Sequence, residues 1–198
     1  MSDGDISSMY ILGENPAMSD PDVNHARDAL AKLDHLVVQD IFLTETSNYA
    51  DVILPASSFA EKSGTVTNTN RQVQMGRPAV SPPGEAQEDW WIEVELAKRL
   101  GLDWDYQSPA DVFAEMKLNM RSLDNITWDR LSSENAVTYP SLSEQDPGQA
   151  IVFGDGFPRQ DGRARFTPAS VIAPDDTPDA DYPMIITTGR QLEHWHTG

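Results

Sequence analysis

The 198-residue sequence contains no cysteine. Disulfides, zinc–thiolate centres and iron–sulfur ligation by this chain are thereby excluded. No apolar run approaches the roughly 20 residues that a membrane-spanning helix needs, and the N-terminal MSDGDISS carries no apolar signal core. Positive charge is scarce: 14 Lys and Arg face 32 Asp and Glu, a formal charge of -18. So acidic a surface argues against nucleic-acid partners and anionic membranes. A bound phosphate stays feasible, because backbone N–H groups and a few placed cations suffice. There is no internal repeat and no low-complexity tract. What remains is an ordinary globular composition, 39% hydrophobic, long enough for one large domain or one and a half, and expected to be soluble and cytoplasmic.

The pattern reads as α/β, a Rossmann-like open sheet of mainly parallel strands with flanking helices. Residues 1–8 are polar and expected to be a disordered lead-in. Residues 9–150 hold the α/β domain. Met9–Leu12 and Leu36–Val38 are compact apolar runs with a helical stretch between them, in which Val23, Ala26, Leu30 and Leu33 share a face and Asp20 and Pro21 supply the start signal. Strand, helix and strand within about thirty residues make a βαβ unit, whose two polar loops, Gly13–Pro16 and Gln39–Thr44, emerge on one sheet edge. Val52–Leu54, stopped by Pro55, is a third buried run. Glu85–Leu100 reads as a helix with Gly101 as its stop, and Ser108–Pro109 opens another. Arg121–Gln149 looks irregular, with a short helix near Thr127–Leu131. Residues 151–181 are expected to form a small hairpin (Ile151–Phe153 with Ala164–Phe166) and an acidic, Pro-rich linker. Residues 182–198 begin with a buried strand, Tyr182–Thr188, as the truncated start of a further domain.

The organising stretch is Leu36–Gln74. Gln39 and Asp40 stand at the carboxyl end of a strand, where open α/β sheets bind ligands. A carboxylate there can accept paired N–H donors from a purine edge, or two ribose hydroxyls. It can equally cap the turn Ile41–Glu45, and the local pattern by itself favours the cap. Lys62 by pattern is a solvated surface cation, and Asp89 complements the start of its helix. His194 and His196 lack a third metal ligand nearby. Trp90 and Trp91 read as core.

Four segments carry a resemblance to a known family: ILGENPAMSD from Ile11, QDIFLTETSNYADVILPASSFAEKSGTVTNTNRQVQ from Gln39, GEAQEDWW from Gly84, and TTGRQLEHWHTG from Thr187. In order and spacing they resemble the molybdopterin oxidoreductases that carry a bis-molybdopterin guanine dinucleotide with molybdenum or tungsten. Within the family, FGDGFPRQDGRARFTPA and the helix DWWIEVELAKRLGLDWDY resemble the catalytic α subunit of NAD-dependent, cytoplasmic formate dehydrogenases; nitrate reductases share an EHWHTG-like segment. The resemblance implies that Asn15 contacts the guanosine, that Gln39 and Asp40 hold guanine or ribose, and that Lys62 supplies charge to a phosphate or pterin edge. It implies that Asp89 accepts from the dinucleotide, and that Thr188, Gly189, Arg190, Glu193, His194, His196 and Thr197 wrap a second dinucleotide. It further implies formate oxidation to CO2, with electrons passing through iron–sulfur clusters to NAD on iron–sulfur and flavin diaphorase subunits. Cluster ligands and metal ligand would lie outside this cysteine-free sequence. The chain is therefore expected to be an inactive fragment of the catalytic subunit, a partial cofactor platform. A nitrate-reducing relative and a stand-alone nucleotide-binding module are the alternatives.

Overall fold

The computed structural model describes residues 1–187 and residue 189; Thr188 and residues 190–198 lie outside the description. Two compact units are present, Met1–Val152 and Phe153–Gly198. Among the described residues no helix is long and apolar enough to cross a membrane.

The first unit opens with a parallel sheet of β1 (Ser8–Leu12), β2 (His35–Asp40) and β3 (Val52–Pro55), in the order β1-β2-β3. Each strand is an apolar run ended by a residue that cannot extend it. Gly13 turns away from β1 with φ 62, Asp40 bonds the N–H that follows it, and Pro55 has no N–H to give. The register sets Leu12 level with Gln39, Gln39 with Leu54, and Asp40 with Pro55, so all three strands finish on one edge. Alternation sorts β2 between two faces. Leu36 and Val38, both fully buried, pack with Ile11, Ala17 and Leu30, each contributing about 1.5–3 kcal/mol by burial. Ala17 and Leu30 come from α1 (Pro16–Ser19) and α2 (Val23–Leu30), which make the crossover from β1 to β2. Gln39 points to the opposite face, toward α3 (Asp89–Arg99).

A second sheet is antiparallel: β4 (Gly64–Thr67), β5 (Gln72–Gly76) and β6 (Ala136–Thr138), in that order. Val73 and Val137 share its core with Phe113 of α4 (Pro109–Asn119), Leu131 of α5 (Trp128–Glu134), Leu123 and Ile126. Below it, Arg130 is almost fully enclosed. Its guanidinium donates to Asn125 O (3.0 Å), Ser141 Oγ (2.9 Å), Ser143 O (3.3 Å), Asp146 O (2.7 Å) and Glu134 Oε1 (2.9 Å).

Several expectations change. The first helix starts at Pro16 rather than beyond Asp20, and the next is capped by Asp22, which accepts from His25 N at 3.2 Å. Pro16 pre-sets the helical φ five residues earlier than Pro21 could. Within the expected lead-in, Ser8 already belongs to β1 and Met1 packs against the first core. The irregular stretch Arg121–Gln149 holds α5 and the unforeseen β6. The expected hairpin is not formed: Ile151–Phe153 and Ala164–Phe166 are turn and non-strand chain, and Phe166, in the second unit, is 95% exposed. Nor do residues 182–187 form a buried strand, since Met184 is 83% and Ile186 91% exposed. An apolar run becomes a buried strand only with a neighbouring strand and an opposing layer, and the described residues of this unit supply neither.

Candidate functional site

The loops after β1, β2 and β3 and the first turn of α3 gather at the carboxyl edge of the parallel sheet. Gly13 N–H donates to Gln39 O at 2.9 Å, and Ala56 N–H to Asp40 O at 3.0 Å, which ties both outer loops to the central strand.

Asn15 links the first two loops. Its Oδ1 accepts from Thr46 Oγ1 (2.8 Å) and Thr46 N (3.2 Å), while its Nδ2 donates to Glu45 Oε2 (2.7 Å). Thr46, fully buried, also accepts from Ala17 N at 3.1 Å. The Asn15 amide is the main reason that the Glu45 carboxyl sits below its ordinary range. Asp40 Oδ1 accepts from Ile41 N at 2.6 Å, so the turn-capping role read from the sequence is realised, and among the described residues Oδ2 has no donor. The residues that follow, Phe42 and Leu43, are 73% and 80% exposed.

On the other face of β2 a chain of polar side chains runs from β1 to the loop after β3. Tyr10 OH donates to Gln39 Oε1. Gln39 Nε2 donates to Asp89 Oδ1 at 2.7 Å, and Lys62 Nζ donates to Asp89 Oδ2 and to Ser57 O, the latter at 3.0 Å. Gln39 is fully buried, with both ends of its amide engaged, so it fixes the plane of the Asp89 carboxylate. Asp89 stands in the first turn of α3, where the free N–H groups favour negative charge. Lys62 is aimed by a capping box: Ser58 starts a 3-10 turn, Phe59–Glu61, and Glu61 Oε2 accepts from Ser58 N at 2.8 Å. Burial and then the charges of Glu93 and Asp89 raise the Tyr10 hydroxyl above its ordinary value; burial and then Asp89 raise Glu93.

Beside Lys62 lies Ser57. Its N–H donates to Gln87 O at 2.8 Å and the residue is fully buried, yet its hydroxyl has no partner among the described residues. An orphaned buried hydroxyl costs about 1–3 kcal/mol, a cost that structure alone does not require when alanine would fit.

Gln39, Lys62 and Asp89 are thus directly bonded. Asn15 and Asp40 share their edge of the sheet but belong to separate hydrogen-bond clusters. Gly189 is exposed; Thr188, Arg190, Glu193, His194, His196 and Thr197 lie outside the described residues. Among the described residues no three His, Asp or Glu side chains converge as a metal site. The sequence reading passed over Tyr10, Thr46 and Ser57. Tyr10 and Gln39 are recoverable as same-face neighbours once the strand register is known, and Ser57 only from its place two residues beyond Pro55.

Compared with known proteins, residues 1–99 match the family model described as molybdopterin oxidoreductase. The F420-dependent formate dehydrogenase subunit alpha of Methanocaldococcus jannaschii is 48% identical over 195 residues, covering 98% of this chain and 29% of that protein. A putative formate dehydrogenase of Bacillus subtilis is 40% identical over 199 residues, covering 100% of this chain and 20% of that protein. The assimilatory nitrate reductase catalytic subunit of Bacillus subtilis is 37% identical over 206 residues, covering 100% and 29%. The chain therefore spans between 20% and 29% of the length of these relatives. Among solved structures, acetylene hydratase from Pelobacter acetylenicus superposes with a TM-score of 0.56 at 23% identity, covering 67% of this chain and 18% of that one, a likeness of fold alone.

Proposed function

The chain belongs to the molybdopterin oxidoreductase family, and from that premise we propose that its sheet edge holds part of a guanine dinucleotide in the catalytic subunit of a formate dehydrogenase. The observation that carries the reading is the bonded series Gln39–Asp89–Lys62–Ser57 at the carboxyl ends of parallel strands, the position where open α/β sheets take nucleotides. The residues fit the group. A guanine edge offers adjacent N–H donors, which an oriented carboxylate accepts in pairs, and Asp89 is oriented by Gln39. A pyrophosphate needs a cation, which Lys62 supplies within an otherwise acidic chain. The unpartnered Ser57 hydroxyl and the open Asp40 Oδ2 leave a donor and an acceptor available. Asn15 shapes the loop entrance by holding Glu45 and Thr46.

Bis-molybdopterin guanine dinucleotide, with molybdenum or tungsten, would supply two-electron redox chemistry when bound. This chain's part is to bind and orient the nucleotide end. On this reading Thr188–Thr197 grips the second dinucleotide, and the rest of a longer cytoplasmic subunit supplies the thiolate ligands. Formate is favoured over nitrate because the F420-dependent formate dehydrogenase relative is 48% identical against 37% for the nitrate reductase. Electrons from formate then pass through iron–sulfur and flavin subunits to NAD. The name of the 48% identical relative favours F420 as a second acceptor, and formate-dependent reduction of each by the assembled enzyme decides between them.

Titration of the 198-residue chain with GMP and with AMP tests the binding claim. GMP should bind more tightly, and Asp89→Asn should abolish the preference. Equal affinity for the two, or none for either, would overturn it. Formate oxidation by the purified chain alone would overturn its assignment as a partial platform.

A further inference from the structure

Lys62 bonds more than Asp89. Its ammonium bonds the main-chain oxygen of Ser57 at 3.0 Å, a residue that is fully buried and whose hydroxyl has no partner among the described residues. The Lys62 contact is weakly held: its side chain is 28% exposed and its partner Asp89 29%, so water competes for both ends and the ion pair is weak. Ser57 itself is fixed. Its N–H is held by Gln87 O at 2.8 Å, its neighbour Ala56 by Asp40 O, and Ser58 by the capping box. An unsatisfied hydroxyl on a fixed residue next to a weakly held cation is a donor kept ready.

We propose that Lys62 is a lid over Ser57, and that the Ser57 hydroxyl donates to the ligand once the lid has moved. The inference rests on the guanine-nucleotide reading of the same edge and adds a residue and a movement to it. A phosphate carries more negative charge than the carboxylate and carbonyl that hold Lys62, so an arriving nucleotide draws the ammonium outward. Asp89 then accepts the N–H pair of the guanine. The uncovered Ser57 hydroxyl donates to the adjacent O6, the acceptor that completes that edge. Lys62 thus has two positions, one closing the site and one on the phosphate.

The chain has no cysteine, so Ser57→Cys introduces a single thiol whose reaction with an aromatic disulfide reagent reports the lid directly. In the free chain the thiol should react slowly. Adding Lys62→Ala should accelerate it at least about tenfold, and saturating GMP, seated on residue 57, should slow it again in the double variant. In parallel, Ser57→Ala should bind GMP about five- to tenfold more weakly, the worth of one hydrogen bond, while its melting temperature stays level or rises because an orphaned group is gone. A thiol equally reactive with and without Lys62 would overturn the lid. Unchanged GMP affinity in Ser57→Ala, with wild type binding GMP, would overturn the donor role and leave the nucleotide reading standing. Failure of wild type to bind GMP would overturn that parent reading and the donor role together, and the Lys62→Ala thiol rate would still decide the lid.

Discussion

Arg130 and Lys62 each sit in a cluster of oxygens, and they are held on different terms. Arg130 has a 7% exposed side chain and donates to five oxygens from four stretches of chain, and Ser141, beside it, is satisfied in turn by Ser143 O and Asp146 O. Lys62 has a 28% exposed side chain and two partners, one of them on Ser57, whose hydroxyl has no partner among the described residues. A planar guanidinium locks irregular chain that has no ladder of its own. A flexible ammonium left part-wet can change partners. The first cluster is closed and belongs to the architecture of the antiparallel half; the second is incomplete, as the proposed binding role requires.

That contrast can be broken at four points. Arg130→Met should be the most damaging. It strands Asn125 O and leaves Ser143 O and Asp146 O to share the Ser141 hydroxyl, costs about 3 kcal/mol, and lowers the melting temperature by about 6–12 °C for a chain of this size. The GMP affinity of the folded fraction should be untouched, and a ligand defect without a stability defect would merge the two clusters into one role. Thr46→Val removes the hydroxyl shared by Asn15 and Ala17 and should cost about 1–2 kcal/mol, read by urea denaturation, with a smaller loss of GMP affinity. Lys62→Ala should shift stability by under about 1 kcal/mol, as expected for a part-exposed pair, but weaken GMP binding about tenfold by calorimetry. A stability loss as large as that of Arg130→Met would show Lys62 to be structural.

The smallest effect concerns Glu93, raised by burial and by Asp89. A carboxyl raised in the folded state binds protons more tightly there than in the unfolded chain, so its favourable contribution is present below the unfolded value and fades as pH rises through the folded one. Glu93→Gln should therefore melt slightly higher than wild type at neutral pH, and the gap should close as pH falls toward 4.5, the ordinary glutamate value. A gap independent of pH would mean that Asp89 and Glu93 are not electrically coupled.

The parallel sheet was legible because its signals are local. Three short apolar runs, each punctuated by Gly13, Asp40 or Pro55, announce strands and their ends. The antiparallel sheet was not: β5 is disguised by Gln72 and Gln74 between its inward residues, and β6 has three residues whose partner lies at Gln72–Gln74, more than sixty positions earlier. The second unit misled in the opposite sense, since Met184–Ile186 has strand composition and no described strand beside it.

For the candidate site, chain order and residue type alone put the loops of Asn15 and of Gln39 and Asp40 on one sheet edge, while Lys62 and Asp89 were named only through the family resemblance. Only the packed structure decided their employment: Gln39 turned inward to brace Asp89, Asp40 bonding its own turn, and Lys62 bonding Asp89 and the main-chain oxygen of Ser57. Alternation along a strand fixes which face a side chain takes. The partner it meets there, fifty residues away in the case of Gln39 and Asp89, is set by how α3 settles against the sheet.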